Sequence, residues 1–262
     1  MQYETDAQFA TQDKYQKIER FENKFYQLLS IHKNNISEIK LDNGLVGHKV
    51  FEELLIELEL SYKILEFINN FNWENKINIS NYDKINIAYT TFYIGIQDNS
   101  TLLDSLLSKY PKGLIKEYIK EINQIRSNFI YEGNLSNYKS AYAQGFKITY
   151  IPFNGHLNKL GHYFRHLFHL YNLVDKQPME LEIDKIDFTR IVRTQMSAIE
   201  QLHLFFNIQS TFGQNWMRFE FVKKYKVFRN MPLPLAKIGV LPKEFLENSD
   251  IEYDDFFEWQ LF

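Results

Sequence analysis

The sequence predicts an all-α fold, a multi-helix bundle of about seven to nine helices, and three observations predict it. Apolar residues recur at spacings of three and four along most of the chain, which is the helical period. Only 10 glycines and 6 prolines punctuate the 262 residues, and no two strand-like runs of comparable quality exist to pair into a sheet. Hydrophobic residues make up 45% of the chain and charged residues 24%, a balance that buries a sizeable core and excludes disorder of the chain as a whole.

The first helix is expected from about Asp13 to Ile39, with Ile18, Phe21, Phe25 and Leu28 as its buried stripe, and the turn chemistry of LDNGLVG ends it. A partner helix follows from about His48 to Asn70, where Phe51, Leu54, Leu55, Leu58, Tyr62, Leu65 and Ile68 make a stripe of similar width. Ser80 and Asn81 read as the N-cap of a helix that stops at Gly95. The run INIAYTTFYIGI within it also suits a strand, since its β-branched and aromatic residues fit a pleated surface. Helix is preferred because nothing would pair with that strand. A short helix from Asn99 to about Leu107 closes at Tyr110-Pro111-Lys112-Gly113, and another runs from Leu114 to Tyr131 with Ile115, Tyr118, Ile119, Ile122, Ile125 and Phe129 facing inward.

Between Glu132 and Gly155 the pattern breaks at Gly133, Gly145, Pro152 and Gly155. This loop-rich segment separates an N-terminal helical part, 1–131, from a second helical part, 132–240, the two reading as one continuous domain. Helices are then expected from Leu157 to Val174, from Asp184 to Gln209 and from Asn215 to Arg229, with Pro232 and Pro234 stopping the last. The remaining segment, 241–262, holds seven acids and one lysine among aromatics that include Phe256, Phe257, Trp259 and Phe262. Residues 1–240 carry 29 basic and 26 acidic side chains, so this acidic aromatic tail is expected to dock on a mildly basic body, either as a regulatory element or simply as a last packed segment.

Composition excludes several function classes. The absence of cysteine removes disulfides, thiolate-bound zinc, iron–sulfur clusters and thiol catalysis, and it suits a reducing, cytoplasmic setting. A net charge of −3 lacks the overall basic footprint of a dedicated nucleic-acid binder. No apolar run is long enough to span a bilayer, and the polar start of the chain is unlike a signal peptide, so no membrane insertion is expected. Dinucleotide, P-loop and nucleophile-elbow motifs are missing, and no cofactor is expected.

The most informative feature is a row of polar residues with helical spacing. Within GHLNKLGHYFRHLFHLYNLVD, the residues Asn158, His162, Arg165, His169 and Asn172 fall on one face, with His166 beside them. The next helix repeats the device with Arg190, Arg193, Ser197, Glu200 and Asn207. Consecutive helices joined by a short connection lie antiparallel and in contact, so the two rows are expected to meet, with Arg165 or Arg193 paired to Glu200. Three readings follow. The rows form a structural network or a pair of solvated faces; or His and Arg bind or cleave a phosphate-bearing ligand; or His162, His166 and His169 hold a metal. The metal reading is the weakest, because no carboxylate accompanies the histidines on that helix.

These segments, followed by FEFVKKYKVFRNMP, resemble the phage abortive infection (AbiC-like) family of bacterial proteins. NKFYQLLSIHKNNISEI and GHKVFEEL are similar to that family's opening, and AYTTFYIGIQDNS to its central piece, so the resemblance runs from about Phe21 to Pro232. It implies defence against phage by arrest of the infected cell, and no established chemistry. It places shared motif positions at Gly155, His156, Gly161, His162, Tyr163, Phe164 and Arg165, then at Arg190, Arg193, Gln195, Glu200 and Asn207. Many members carry hydrophobic helices ahead of this region, and this chain shows none.

The leading expectation is a binding or regulatory module in phage defence, triggered by a phage or host protein. The alternative is a metal-independent ribonuclease-type toxin acting on RNA, with His162, His166 or His169 as acid or base and Arg165 or Arg193 on the phosphate. Arg165 and His169 imitate the Arg-to-His spacing of HEPN ribonucleases but stand one residue too close. A nuclease pair would then come from two helices or from two subunits of a homo-oligomer.

Overall fold

A computed structural model describes residues 2–71, 79–96, 100–133 and 145–258. The fold is all-α, and no strand is present among the described residues. Among the described residues, eleven α-helices run in the order α1 (Gln2–Glu38), α2 (His48–Phe71), α3 (Asn81–Ile94), α4 (Ser100–Leu107), α5 (Lys112–Glu132), α6 (Leu157–Asp175), α7 (Lys185–Gln195), α8 (Ala198–Gln209), α9 (Gln214–Arg218), α10 (Phe221–Tyr225) and α11 (Pro242–Glu247). The last three are single short turns, which raises the count above the expected seven to nine.

The segment 81–95 is a helix, and its packing explains why a strand competed with it. Ser80 caps α3 by accepting from the Asp83 amide, and Ile85 to Ile94 are all buried. A helix covered on every side carries no amphipathic period, so its sequence shows only apolar density. α2 packs against α3, α5 and α8, while α1 packs on α6. One apolar core extends from Phe21 through Phe257. Residues 8–20 of α1 contribute no fully buried side chain to it.

The expected helix over 184–209 is two helices. Met196 is extended, and Ser197 starts α8 as a capping box in which its hydroxyl accepts from the Glu200 amide while the Glu200 carboxylate accepts from the Ser197 amide. The expected helix over 215–229 is likewise divided into α9 and α10, with Glu220 in a left-handed conformation between them.

Residues 145–156 form an ordered strap over the start of α6. Its fastening is a buried carboxylate on α2: Glu57 accepts from the Tyr150 hydroxyl at 2.5 Å, the Phe153 amide at 3.0 Å and His156 Nε2 at 3.1 Å. Arg126 on α5 donates from two nitrogens to Asn154 Oδ1, at 3.2 and 2.7 Å. The strap then crosses the end of α3 backbone to backbone, where the His156 amide donates to the Tyr93 carbonyl at 2.8 Å and the Ile96 amide to the Phe153 carbonyl at 3.1 Å.

Glycine is required on both sides of this crossing. A Cβ on Gly155 would lie 2.3 Å from the Ile94 carbonyl oxygen, and one on Gly95 would lie 2.6 Å from Asn154 backbone atoms. Both residues also adopt positive φ, +85° and +81°. Gly155→Ala is expected to cost about 2–4 kcal/mol in chemical denaturation. Gly113→Ala, in open space on α5, is expected to leave stability unchanged or raise it by up to about 1 kcal/mol.

Candidate functional site

The crossing sets α3, α6 and α8 around a polar cleft of about 200 Å3. α6 supplies Gly161, Phe164, Arg165, Phe168, His169 and Asn172; α8 supplies Asn207. Tyr93 from α3 and the stretch holding Phe212, Asn215 and Trp216 complete the lining. Of the larger depressions, two are furrows along single helices, α5 and α1, one lies between α4 and α5, and one of about 330 Å3 joins α3 to the end of α8; none of them contains Arg165 or His169 of the predicted row. The cleft joins groups from separate elements, as a ligand site requires.

Local chemistry explains its shape. At Gly161 a Cβ would approach the Tyr93 hydroxyl to 3.0 Å, so the missing methyl gives the tyrosine its place against α6. Burial pushes the Tyr93 hydroxyl up and nearby Arg165 pulls it back. Arg165 donates from Nε to the Gly161 carbonyl at 3.0 Å, which turns its guanidinium along the helix. Asn207 donates to the Tyr89 hydroxyl at 3.0 Å, and its carbonyl receives the Ser210 amide and hydroxyl. Gly213 lies so close that a Cβ there would stand 2.3 Å from the Asn207 carbonyl oxygen. Among the described residues, the side chains of His169, Asn172 and Asn215 make no hydrogen bond.

The structure brings part of the predicted polar rows together and separates the rest. Arg165, His169, Asn172 and Asn207 share the cleft. Asn158 and His162 are exposed and stand outside it, and Gln195 is half-buried away from it. Arg190 is an exposed partner of Asp187 one turn earlier. Ser197 and Glu200 are spent on the start of α8.

The expected pairing of Arg165 or Arg193 with Glu200 does not form. Glu200 is fully buried, accepts from His48 at 2.9 Å, and faces Tyr163 on the other side of α6, whose hydroxyl is held well above its usual range by burial and by this carboxylate. Arg193 is half-buried and clamps the turn after α10, donating to Asn230 Oδ1 at 3.2 Å and to the Tyr225 carbonyl at 2.9 Å. The break at Met196 turns α7 and α8 to different directions, so one row became two.

His166 faces away from the cleft toward His32, and burial followed by His169 and His162 lowers its pKa. Among the described residues no group of three or more His, Asp or Glu side chains is placed to hold a metal ion. In the tail, Phe256 and Phe257 are buried against Phe228, and Lys226 holds the Asp255 carbonyl at 2.6 Å. Their burial accounts for them as core residues. Trp259 and Phe262 lie outside the described residues.

Sequence reasoning left Phe168 on α6 unassigned, and it missed Tyr93, Phe212, Asn215 and Trp216 of the cleft and Glu57 under the strap. Glu57 carried a signal: within LIELELSY it interrupts the apolar face of α2, where a carboxylate has to find partners. The other four carried none, because their roles arise from elements distant in sequence.

The fold and site define an all-helical protein with a small, cation-bearing polar cleft, and no helix among the described residues is long and apolar enough to cross a membrane. Residues 155–234 match the model of the family described as "Putative phage abortive infection protein". This match supports the AbiC-like assignment and, in general terms, a role in phage defence. All the cleft-lining residues except Tyr93 fall inside the matched segment. Searches among curated proteins and solved structures gave no match.

Two buried imidazoles, His32 and His203, contribute to the acid response of the fold. Burial, helped by His166, holds His32 down at about 4. Burial also holds His203 at about 4, against the opposing pull of its 2.8 Å bond to the Phe51 carbonyl. In the unfolded chain each titrates near about 6.5, so between these values the unfolded chain binds more protons. Stability is therefore full above about pH 6.5 and falls toward pH 4, by up to about 1.4 kcal/mol per pH unit for each imidazole. Urea midpoints at about pH 5 and about pH 7 measure the slope, and His203→Gln is expected to flatten it.

Proposed function

We propose that the protein is a binding module of phage defence whose α3/α6/α8 cleft takes a phosphate-bearing ligand from the phage or the infected host. The single observation that carries this reading is the grouping of Arg165, His169, Asn172 and Asn207 in one open cleft built almost wholly from the family-matched segment. No acidic side chain lines the cleft, so no carboxylate repels an anion that approaches the Arg165 guanidinium there. A guanidinium is the side chain best suited to phosphate, and an imidazole one turn away adds a second donor.

The ribonuclease reading has one observation in its favour: Arg165 and His169 face the same cleft despite their short spacing. Against it, the cleft holds a single imidazole, since His162 and His166 lie outside, and acid–base cleavage needs a proton donor and an acceptor.

Arg165 and His169 are both exposed, so Arg165→Ala and His169→Ala are expected to fold normally and to reduce protection against phage by about tenfold or more in plaque counts. Protection equal to the unaltered protein in both folded variants would remove the cleft from the function. Total RNA taken at growth arrest separates the two readings. Intact RNA supports binding, and RNA cut by the unaltered protein but spared by both variants replaces binding with nuclease action.

A further inference from the structure

This inference rests on the cleft being the working site. We infer that the cleft takes one nucleotide unit, with the base against its aromatic lining and the phosphate on Arg165. Three features of the lining select that chemistry over a bare anion or a purely apolar ligand.

The first is the density of rings. Tyr93 meets Phe212 at 4.6 Å between centroids and Phe168 meets Trp216 at 5.3 Å, and all four rings border the cavity. Aromatic side chains hold an unstacked base by its π face, whereas a phosphate ion gains nothing from them. The second is a pair of uncommitted amides, Asn172 and Asn215, at the same opening. Each offers a donor and an acceptor together, the combination that reads the edge of a base. The third is Arg165. Its Nε is held by the Gly161 carbonyl, which fixes the plane of the guanidinium and leaves its terminal nitrogens for a phosphate.

Size limits the ligand further. About 200 Å3 falls below the roughly 300–1,000 Å3 of pockets that enclose drug-sized molecules. A whole nucleotide exceeds this space, so the recess takes the base, while the ribose and phosphate stay at the mouth beside the exposed Arg165, whether the unit is a free nucleotide or one unpaired residue of an RNA strand.

Titration of the purified full-length chain, by calorimetry or by tryptophan fluorescence, tests this with ribonucleoside 5′-monophosphates, the matching nucleosides, inorganic phosphate and short single-stranded RNA. The expected result is saturable binding of at least one monophosphate, with its nucleoside and inorganic phosphate each weaker by about tenfold or more. Arg165→Gln is expected to reduce the nucleotide to the affinity of its nucleoside, and Asn215→Ala to erode preference among bases while sparing the phosphate contribution. Short RNA binding more tightly than the monophosphate identifies a strand as the source, and equal affinity identifies a free nucleotide; both support the inference. Inorganic phosphate binding as tightly as any nucleotide overturns it and leaves an anion-binding cleft. Failure of every probe to bind, while Arg165→Ala abolishes protection, overturns it and leaves the proposed function standing. Unchanged nucleotide affinity in Arg165→Gln together with full protection in Arg165→Ala overturns both.

Discussion

The backbone crossing of Ile94-Gly95 with Asn154-Gly155 is the constraint on which the cleft depends. Two chains that touch without an intervening Cβ fix the distance between their elements more tightly than side chains could. Because the His156 amide bonds to the Tyr93 carbonyl, the start of α6 is set against the end of α3. Tyr93 consequently comes to rest on Gly161, one turn into α6, and the cleft opens beside it. The polar side chains of the site then need no long-range coordination of their own; they inherit it from the crossing.

A crossing of this kind has to be held, and Glu57 holds it. A carboxylate with no exposed surface is costly unless its oxygens are satisfied. Here a tyrosine, a backbone amide and a histidine of one strap converge on it. Burial and the carboxylate together keep the Tyr150 proton on its oxygen, so the phenol remains a donor. The strap, though rich in glycine and proline, is therefore an ordered part of the core wherever it is described.

Most of the fold was legible because most helices face solvent on one side. The stripes of α2 and α5 became buried faces, and three of the polar residues that share a spacing on α6, Arg165, His169 and Asn172, line one cleft. Three things were not legible, for different reasons. The break at Met196 was written in the sequence as Ser197 followed by Glu200, a helix start signal that the unbroken apolar period on either side concealed. The partner of Glu200 proved to be His48, from a helix more than a hundred residues earlier, which no local period encodes. Tyr93 entered the site from a helix buried on every face, where all positions look alike in sequence.

That last residue stands outside the matched segment. The family-matched segment carries every polar group of the cleft except the phenol that Tyr93 lays across Gly161. Grafted alone onto another scaffold, it would bring the guanidinium, imidazole and amides without the phenol that forms one wall of the recess. A change at position 93 would thus reshape the recess with every side chain of the matched segment left in place.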